Sequence, residues 1–395
     1  MYPYRHSHNE IQKMYQSPRA SIFLNPSLTK SLNRATSLNN INLPTLSRKP
    51  QILLSTPSET PHLSPLLHKS YKSPSARLST LPSLSTSVKS SRPHGIVKAY
   101  CANTHKGLVR NLNEDRVMII SKISKPESRK TEKWPISSFY GIYDGHMGKE
   151  CCNFLRDNLH TFIINDPAFP TDPVNALLNG FSKAEDKFKQ IAIEHNLKSG
   201  SCAIVILIVG KICYLANLGD SRAVLSESKF QKITQISKDH VPHDETERQR
   251  ISLAGAEVVY SKHPGNSKQF VSRLMPGGIS VSRCFGDIDA KLKELGGNPN
   301  ALIAIPEINV FKLHSDTDFI LMGSDGTFEK IENKNAVNMI WETSLSSLEM
   351  EASGKIGKSV EKIMVEAMIR NATDNITIVV IAFKNFCKEL GEDAN

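Results

Sequence analysis

Phe139-Tyr140-Gly141-Ile142-Tyr143-Asp144 (FYGIYD, residues 139–144) is apolar until its last position, where it stops at an acid. The same device recurs in CYLANLGD (213–220), which ends at Asp220, and in FILMGSD (319–325), which ends at Asp325. A fourth acid, Asp374, stands immediately before NITIVVIAF (375–383). Runs of this length and composition read as strands buried on at least one face, so each acid lies at the rim of a sheet, beside the ends of neighbouring strands. Carboxylates gathered at such a rim repel one another unless they are protonated or bound to cations. The pattern describes a metal site.

Around these runs, from about residue 93, the sequence reads as one compact domain of many short strands and a few long amphipathic segments. A helix is expected around 148–163, with Cys151, Leu155, Leu159 and Phe162 on one stripe. A second opens at Asp172-Pro173 and carries Val174, Leu177, Leu178, Phe181, Ala184, Phe188 and Ile191. CAIVILIVG and KICYLANLG, joined at Gly210-Lys211, read as an antiparallel hairpin. Asp244 and Glu247 have the spacing of a capping box. Val360, Ile363, Met364, Ala367 and Met368 mark the last helix, before a final strand over 375–383. These stripes read as core packing.

The formal net charge of +10 sits entirely in residues 1–92, which hold twelve Lys and Arg against Glu10 and Glu59. The remainder is neutral overall, so the basic balance gives no support to a nucleic-acid-binding fold. Residues 1–92 are rich in Ser, Pro, Leu and Asn without a sustained period, and are read as a disordered tail. Residues 389–395 are read as a short C-terminal tail. Ser17, Thr56, Thr60, Ser64 and Ser73 each precede a proline and suit proline-directed kinases. Arg48-Lys49 followed by Ile52-Leu53-Leu54 has the form of a docking peptide for a kinase or regulatory partner.

No stretch has the apolar length of a membrane span, and a soluble cytoplasmic or nuclear protein is expected, with organelle targeting through the basic tail as the alternative. Seven cysteines, with no CxxC pair, read as reduced intracellular thiols. Nothing demands a partner subunit, and a monomer is expected.

The chemistry emerges when the acidic runs are taken together. In RNLNEDR (110–116), Arg110 precedes the adjacent acids Glu114 and Asp115. Alone, such a pair reads as solvated surface. In DGHMG (144–148), Asp144, the carbonyl of Gly145 and His146 can face one small volume. LGDSR and SDGT set Asp220 and Asp325 between small residues that let backbone and ions approach. An all-oxygen ligand set favours hard cations, Mg²⁺ or Mn²⁺. Two such ions roughly 3.5–4 Å apart can acidify a shared water and hold a phosphate for in-line attack. A histidine can then protonate the leaving alkoxide, and an arginine can balance charge on the phosphate oxygens.

The ordered series EDR, DGHMG, SGSCA, LGDSR, DH.P, AG, VSRCFGD, PEI, SDGT and TDN, spanning about 100–385, resembles the metal-dependent protein phosphatase 2C family. The resemblance implies an α+β fold, a four-layer αββα sandwich of two antiparallel β-sheets flanked by helices. It implies hydrolysis of phosphoserine and phosphothreonine in protein substrates by a metal-activated hydroxide at a binuclear Mg/Mn centre. By the same resemblance Asp144 bridges both metals, Asp325 and Asp374 complete the first, and Glu114 with the Gly145 carbonyl serves the second. Asp115 acts through a bound water, Asp220 with Asp325 holds a weaker third ion, Arg110 grips the phosphate, and His146 is the general acid.

The departures from the family pattern lie outside these positions. Cys202 replaces Thr, Ile279-Ser280 replace Leu-Ala, and Phe328-Glu329 replace Trp-Asp, with altered support around the metals expected at Glu329. Residues 256–277 match a variable flap that could help choose substrates. Two rivals keep their place at this stage: a catalytically silent pseudophosphatase that binds phosphoproteins as a scaffold, and an interaction protein whose basic tail carries the main function.

Overall fold

The computed structural model describes residues 88–89, 95–263, 266–347 and 350–391. Two antiparallel sheets dominate it. The first has six strands in the spatial order Val88–Lys89, Val97–His105, Ile376–Phe383, Thr317–Gly323, Arg222–Glu227 and Lys232–Gln235. The second has five, in the order Glu307–Lys312, Ile212–Leu218, Ala203–Val209, Ser137–Tyr143 and Arg116–Ile120.

Alternation along the central strands explains how these sheets stack. On strand 203–209, Ala203, Val205, Leu207 and Val209 face the helices Glu150–Ile164 and Pro173–His195. Their neighbours Ile204, Ile206 and Ile208 join Tyr140, Ile142, Ile320, Met322, Val379 and Ile381 in the layer between the sheets. On strand 376–383, Ile378, Val380 and Ala382 turn outward onto Ile340, Trp341, Ile356, Val360, Ile363 and Met364 of the helices Asn333–Ser346 and Ala352–Ile369. Three apolar layers thus separate four structural ones, helix, sheet, sheet and helix, as an α+β sandwich requires. Because both faces of the central strands are covered, 203–209 and 376–383 are buried at every position, which is why they read as unbroken apolar runs.

The helical signals act locally as expected. Asp172 accepts a bond from the Asn175 amide and Pro173 takes the first turn, while the helix ends on Asn196 at φ 51°. The stripe of helix 150–164 closes on Ile163 and Ile164, with Phe162 half-buried beside it. Asp244 caps helix Glu245–Leu253 through the amides of Thr246 and Glu247. Glu247 does not return the bond that a capping box would make: its buried carboxylate is held by Arg250 at 2.9 Å and Arg283 at 2.6 Å, and lies at about 2 despite its burial. Two guanidinium partners offset the desolvation that a lone buried carboxylate would suffer.

The fold extends past both expected boundaries. Val88 and Lys89 pair with Ala102 and Cys101, on the N-terminal side of residue 93. At the other end, 352–369 is not the last helix: Lys384–Glu389 follows, Leu390 is buried, and the Lys355 ammonium donates to the Leu390 carbonyl at 2.8 Å. The phosphoacceptor pairs, the docking peptide and the rest of the disordered-tail reading lie outside the described residues. Among those residues no helix is long and apolar enough to cross a membrane. All seven cysteines are buried and none is in a disulfide, Cys151 and Cys152 included. Within 256–277, strand Glu257–His263 pairs with Asn266–Met275 as a two-stranded ribbon, whose Tyr260 and Phe270 are exposed.

Candidate metal centre

The acids at the strand ends converge because the two sheets present the same edge to one cleft. The second sheet supplies Asp115 before strand 116–120, Asp144 after 137–143 and Asp220 after 212–218. The first supplies Asp325 after 317–323 and Asp374 before 376–383. Carboxylate oxygens of Asp144, Asp220 and Asp325 all lie within 4.8 Å of one another. Asp115 is 1% exposed, and its Oδ2 accepts from Ser324, just past strand 317–323, at 2.8 Å and from Thr377 of strand 376–383 at 2.6 Å, both belonging to the opposite sheet's edge. These two hydroxyls tie the sheets together at the floor of the cleft.

The electrostatics are those of crowded acids. Burial pushes Asp144 well above the ordinary carboxylate range, and Asp115, Asp325, Asp220 and Asp374 push it further. Asp325 is raised in the same way by burial, then by Asp220, Asp374 and Asp115. Asp115 and Asp220 are raised to about 6, burial being the main cause in both. The Asp115 Oδ1 atom is buried without a hydrogen-bond partner. An orphaned carboxylate oxygen among repelling carboxylates is a donor set with the charge and hardness for divalent cations.

The remaining predicted positions frame this cluster. Glu114 is anchored by the Gly148 amide at 2.7 Å on its Oε1, and its own amide donates to Asn375 Oδ1 at 2.8 Å. Gly145 runs against Ser201, where a Cβ would come 2.7 Å from the Glu114 carbonyl oxygen and 2.9 Å from the Cys152 sulfur. Arg110 rests on Asp374, Nη2 to Oδ2 at 2.5 Å, with half its side chain exposed. His146 turns its Nε2 to Asp287 Oδ2 at 2.7 Å. Burial alone would lower the imidazole pKa, but the bond and charge of Asp287 outweigh it and raise it, while Asp287 is held low.

Three contributors went unread in the sequence. Asp287 closes the VSRCFGD run, is 4% exposed, and sits at φ 50°, a left-handed conformation that Asp tolerates better than most residues. Gly200 makes room for the pair it forms, since a Cβ there would lie 2.0 Å from Asp287 Oδ2 and 2.4 Å from His146 Nε2. Asn375 staples the Arg110–Glu114 loop by donating to the carbonyls of Lys106 and Leu112. Each lies in a quoted motif, and that position is the only sequence signal for its role.

Two of the departures find local partners. The Cys202 thiol donates to Asp220 Oδ1 at 3.4 Å. Glu329 is held by its own neighbours: its Oε2 accepts from the Thr373 amide at 3.1 Å, its Oε1 pairs with Lys330 at 2.6 Å, and its charge adds to those that raise Asp325. It therefore supports the loop that carries Asp374.

Fold and rim together define a two-sheet sandwich with an acidic, cation-ready cleft at one edge, and comparison with known proteins gives this class a family. The family model for protein phosphatase 2C matches residues 105–376. Probable protein phosphatase 2C 27 of Oryza sativa subsp. japonica is 30% identical over 276 residues, 69% of this chain and 72% of the relative. Probable protein phosphatase 2C 59 of Arabidopsis thaliana is 32% identical over 248 residues, 63% and 70% of the two chains. Among solved structures, the serine-threonine phosphatase 2C from Toxoplasma gondii superposes with a TM-score of 0.59 at 18% identity, covering 75% of this chain and 99% of that one. The chain belongs to the protein phosphatase 2C family, whose members are metal-dependent protein phosphatases.

Proposed function

We propose that the chain is an active protein serine/threonine phosphatase, hydrolysing phosphoserine and phosphothreonine in proteins with two Mg²⁺ or Mn²⁺ ions held at the sheet rim. The observation that carries this reading is the gathering of Asp115, Asp144, Asp220 and Asp325 with desolvation and mutual repulsion that divalent cations relieve. Asp144, Asp325, Asp374, Glu114 and the Gly145 carbonyl would hold the two ions, with Asp144 shared between them. Asp115 would act through water, and Asp220 with Asp325 would hold a weaker third ion. When bound, the ions activate water and neutralise phosphate charge.

The chain's own groups do the rest. Arg110 leaves its exposed pairing with Asp374 to bind phosphate oxygens, trading one anion for another at little desolvation cost. His146, oriented by Asp287, whose bond and charge raise the imidazole pKa, would deliver a proton to the leaving serine or threonine oxygen. All the acids assigned to the ions are in place, which favours an enzyme over a silent scaffold.

The test is phosphate release from a phosphothreonine peptide by the full chain with Mn²⁺, with Mg²⁺ and with chelator. Turnover that requires a divalent ion is expected, and none from folded protein would move the reading to the phosphopeptide-binding scaffold. In the same assay Arg110→Ala should lower kcat/KM by about 10–100-fold, the equivalent of a lost charge-assisted bond of roughly 1.5–3 kcal/mol. Gly200→Ala, which forces His146 and Asp287 apart, should lower kcat by about 100-fold, since displacing a catalytic group by an ångström has that scale. Unchanged kcat in Gly200→Ala would remove His146 from its role.

A further inference from the structure

We propose that His146, Asp287 and Cys284 form a second, soft cation site beside the carboxylate cluster, one that takes Zn²⁺ or Cd²⁺ and silences His146 when filled. One ligand atom from each of the three lies within 4.8 Å of the other two. The contacts centre on Asp287 Oδ2, 2.7 Å from His146 Nε2 and 3.0 Å from the Cys284 sulfur. Imidazole, thiolate and carboxylate are the donors of three-ligand zinc sites, whose fourth position is left to water. The thiolate separates this set from the all-oxygen rim, which suits Mg²⁺ or Mn²⁺.

The geometry needs little adjustment. Zinc bonds of about 2.0–2.3 Å in a tetrahedron set ligand atoms roughly 3.4–3.7 Å apart, so the two short contacts open by less than about 1 Å. Gly200 leaves only backbone against the two atoms that must part, because a Cβ there would touch both. Charge also balances. Binding expels the thiol proton and the proton shared by His146 and Asp287, leaving one thiolate and one carboxylate against a dication, a neutral assembly suited to a buried position. The nearby Lys291 ammonium is already matched by Glu185 at 2.6 Å and donates to the Cys284 carbonyl at 2.7 Å.

The consequence for turnover rests on the phosphatase reading above, whereas the site itself does not. A cation on Nε2 occupies the nitrogen that now faces Asp287 and displaces the proton held there, so that proton is no longer available to a leaving group.

Cd²⁺ titrated into the full chain at saturating Mg²⁺ should raise a thiolate-to-cadmium charge-transfer band at one equivalent. That band should vanish in Cys284→Ala, weaken in Asp287→Asn, and survive in Cys202→Ser, which removes the thiol next to Asp220. Zinc should inhibit phosphate release, and the half-inhibitory concentration, each variant measured against its own uninhibited rate, should rise at least tenfold in Cys284→Ala. A band unchanged in Cys284→Ala, or lost in Cys202→Ser, would overturn the site. The band is read without turnover, so a Cys284-dependent band in a protein with no phosphatase activity would keep the site and sink the enzyme reading.

Discussion

Asp144→Asn should lower phosphate release by about three orders of magnitude while raising the melting temperature of the metal-free protein. The two effects share one cause. Asp144 is half-buried at the centre of the cluster, and its pKa is raised first by desolvation and then by four other aspartates. An amide keeps the shape of the carboxylate and removes its charge, so in the absence of cations the repulsion falls and the fold gains. With cations supplied, the bridging ligand is lost. Metal-ion stabilisation of developing charge is worth several kcal/mol, and roughly 4 kcal/mol corresponds to the thousandfold loss expected. Turnover and thermal unfolding measured on the same preparation check both halves. Near-normal turnover would overturn the metal-centre assignment, and loss of turnover together with a lowered melting temperature would make Asp144 a structural residue.

Much of this was legible because it is local. An acid ending an apolar run states its own position, since strand geometry puts it at the sheet rim, and four such acids imply a meeting point before any pairing is known. The helix over 173–195 was equally plain, with a cap, a proline and a stripe in consecutive residues. The partnerships between distant positions were not legible. His146 and Asp287 are separated by 141 residues, and nothing in either motif names the other. Glu247 had capping-box spacing, yet two arginines compete for its carboxylate, one of them, Arg283, 36 residues away. Helix 333–346 buries Ala336, Val337, Ile340, Trp341 and Ser344. Its stripe passed unread because one of its five core contacts is a serine, whose hydroxyl meets Ser359 at 2.9 Å in the interior. The outward shift of both domain ends has a similar origin, since a two-residue edge strand and a six-residue helix are too short to announce a period.

The stabilisation that divalent cations confer should grow as pH rises from 5 to 7. Asp115 and Asp220 titrate near 6 in the folded protein, against about 3.9 for an unfolded aspartate. Between those values the native state holds protons that the unfolded state has released, so the metal-free fold loses stability as pH rises and bears the full penalty above about 6. Each group contributes roughly 3 kcal/mol on this basis, and because the carboxylates interact, the sum is smaller than its parts. Other groups titrate nearby. Burial lowers the pKa of His105, His160 and His240, which stabilises the fold as pH rises, whereas the His146 and Asp287 pair loses strength in the same direction. The terms at His105, His160 and His240 are common to the metal-free and metal-loaded protein, so the difference between the two melting temperatures reads the rim together with His146. At pH 5, protons already quench part of the repulsion and compete with Mn²⁺. At pH 7, Asp115 and Asp220 have released their protons, and the cation takes over that part of the relief. A rise in the cation-induced shift of about 5–10 °C between these pH values is expected for a domain of this size, read by thermal unfolding of the full chain with Mn²⁺ and with chelator. A shift that stays flat across the interval would mean that the ions bind somewhere other than the buried carboxylates, and the cleft would lose its claim to be the metal centre.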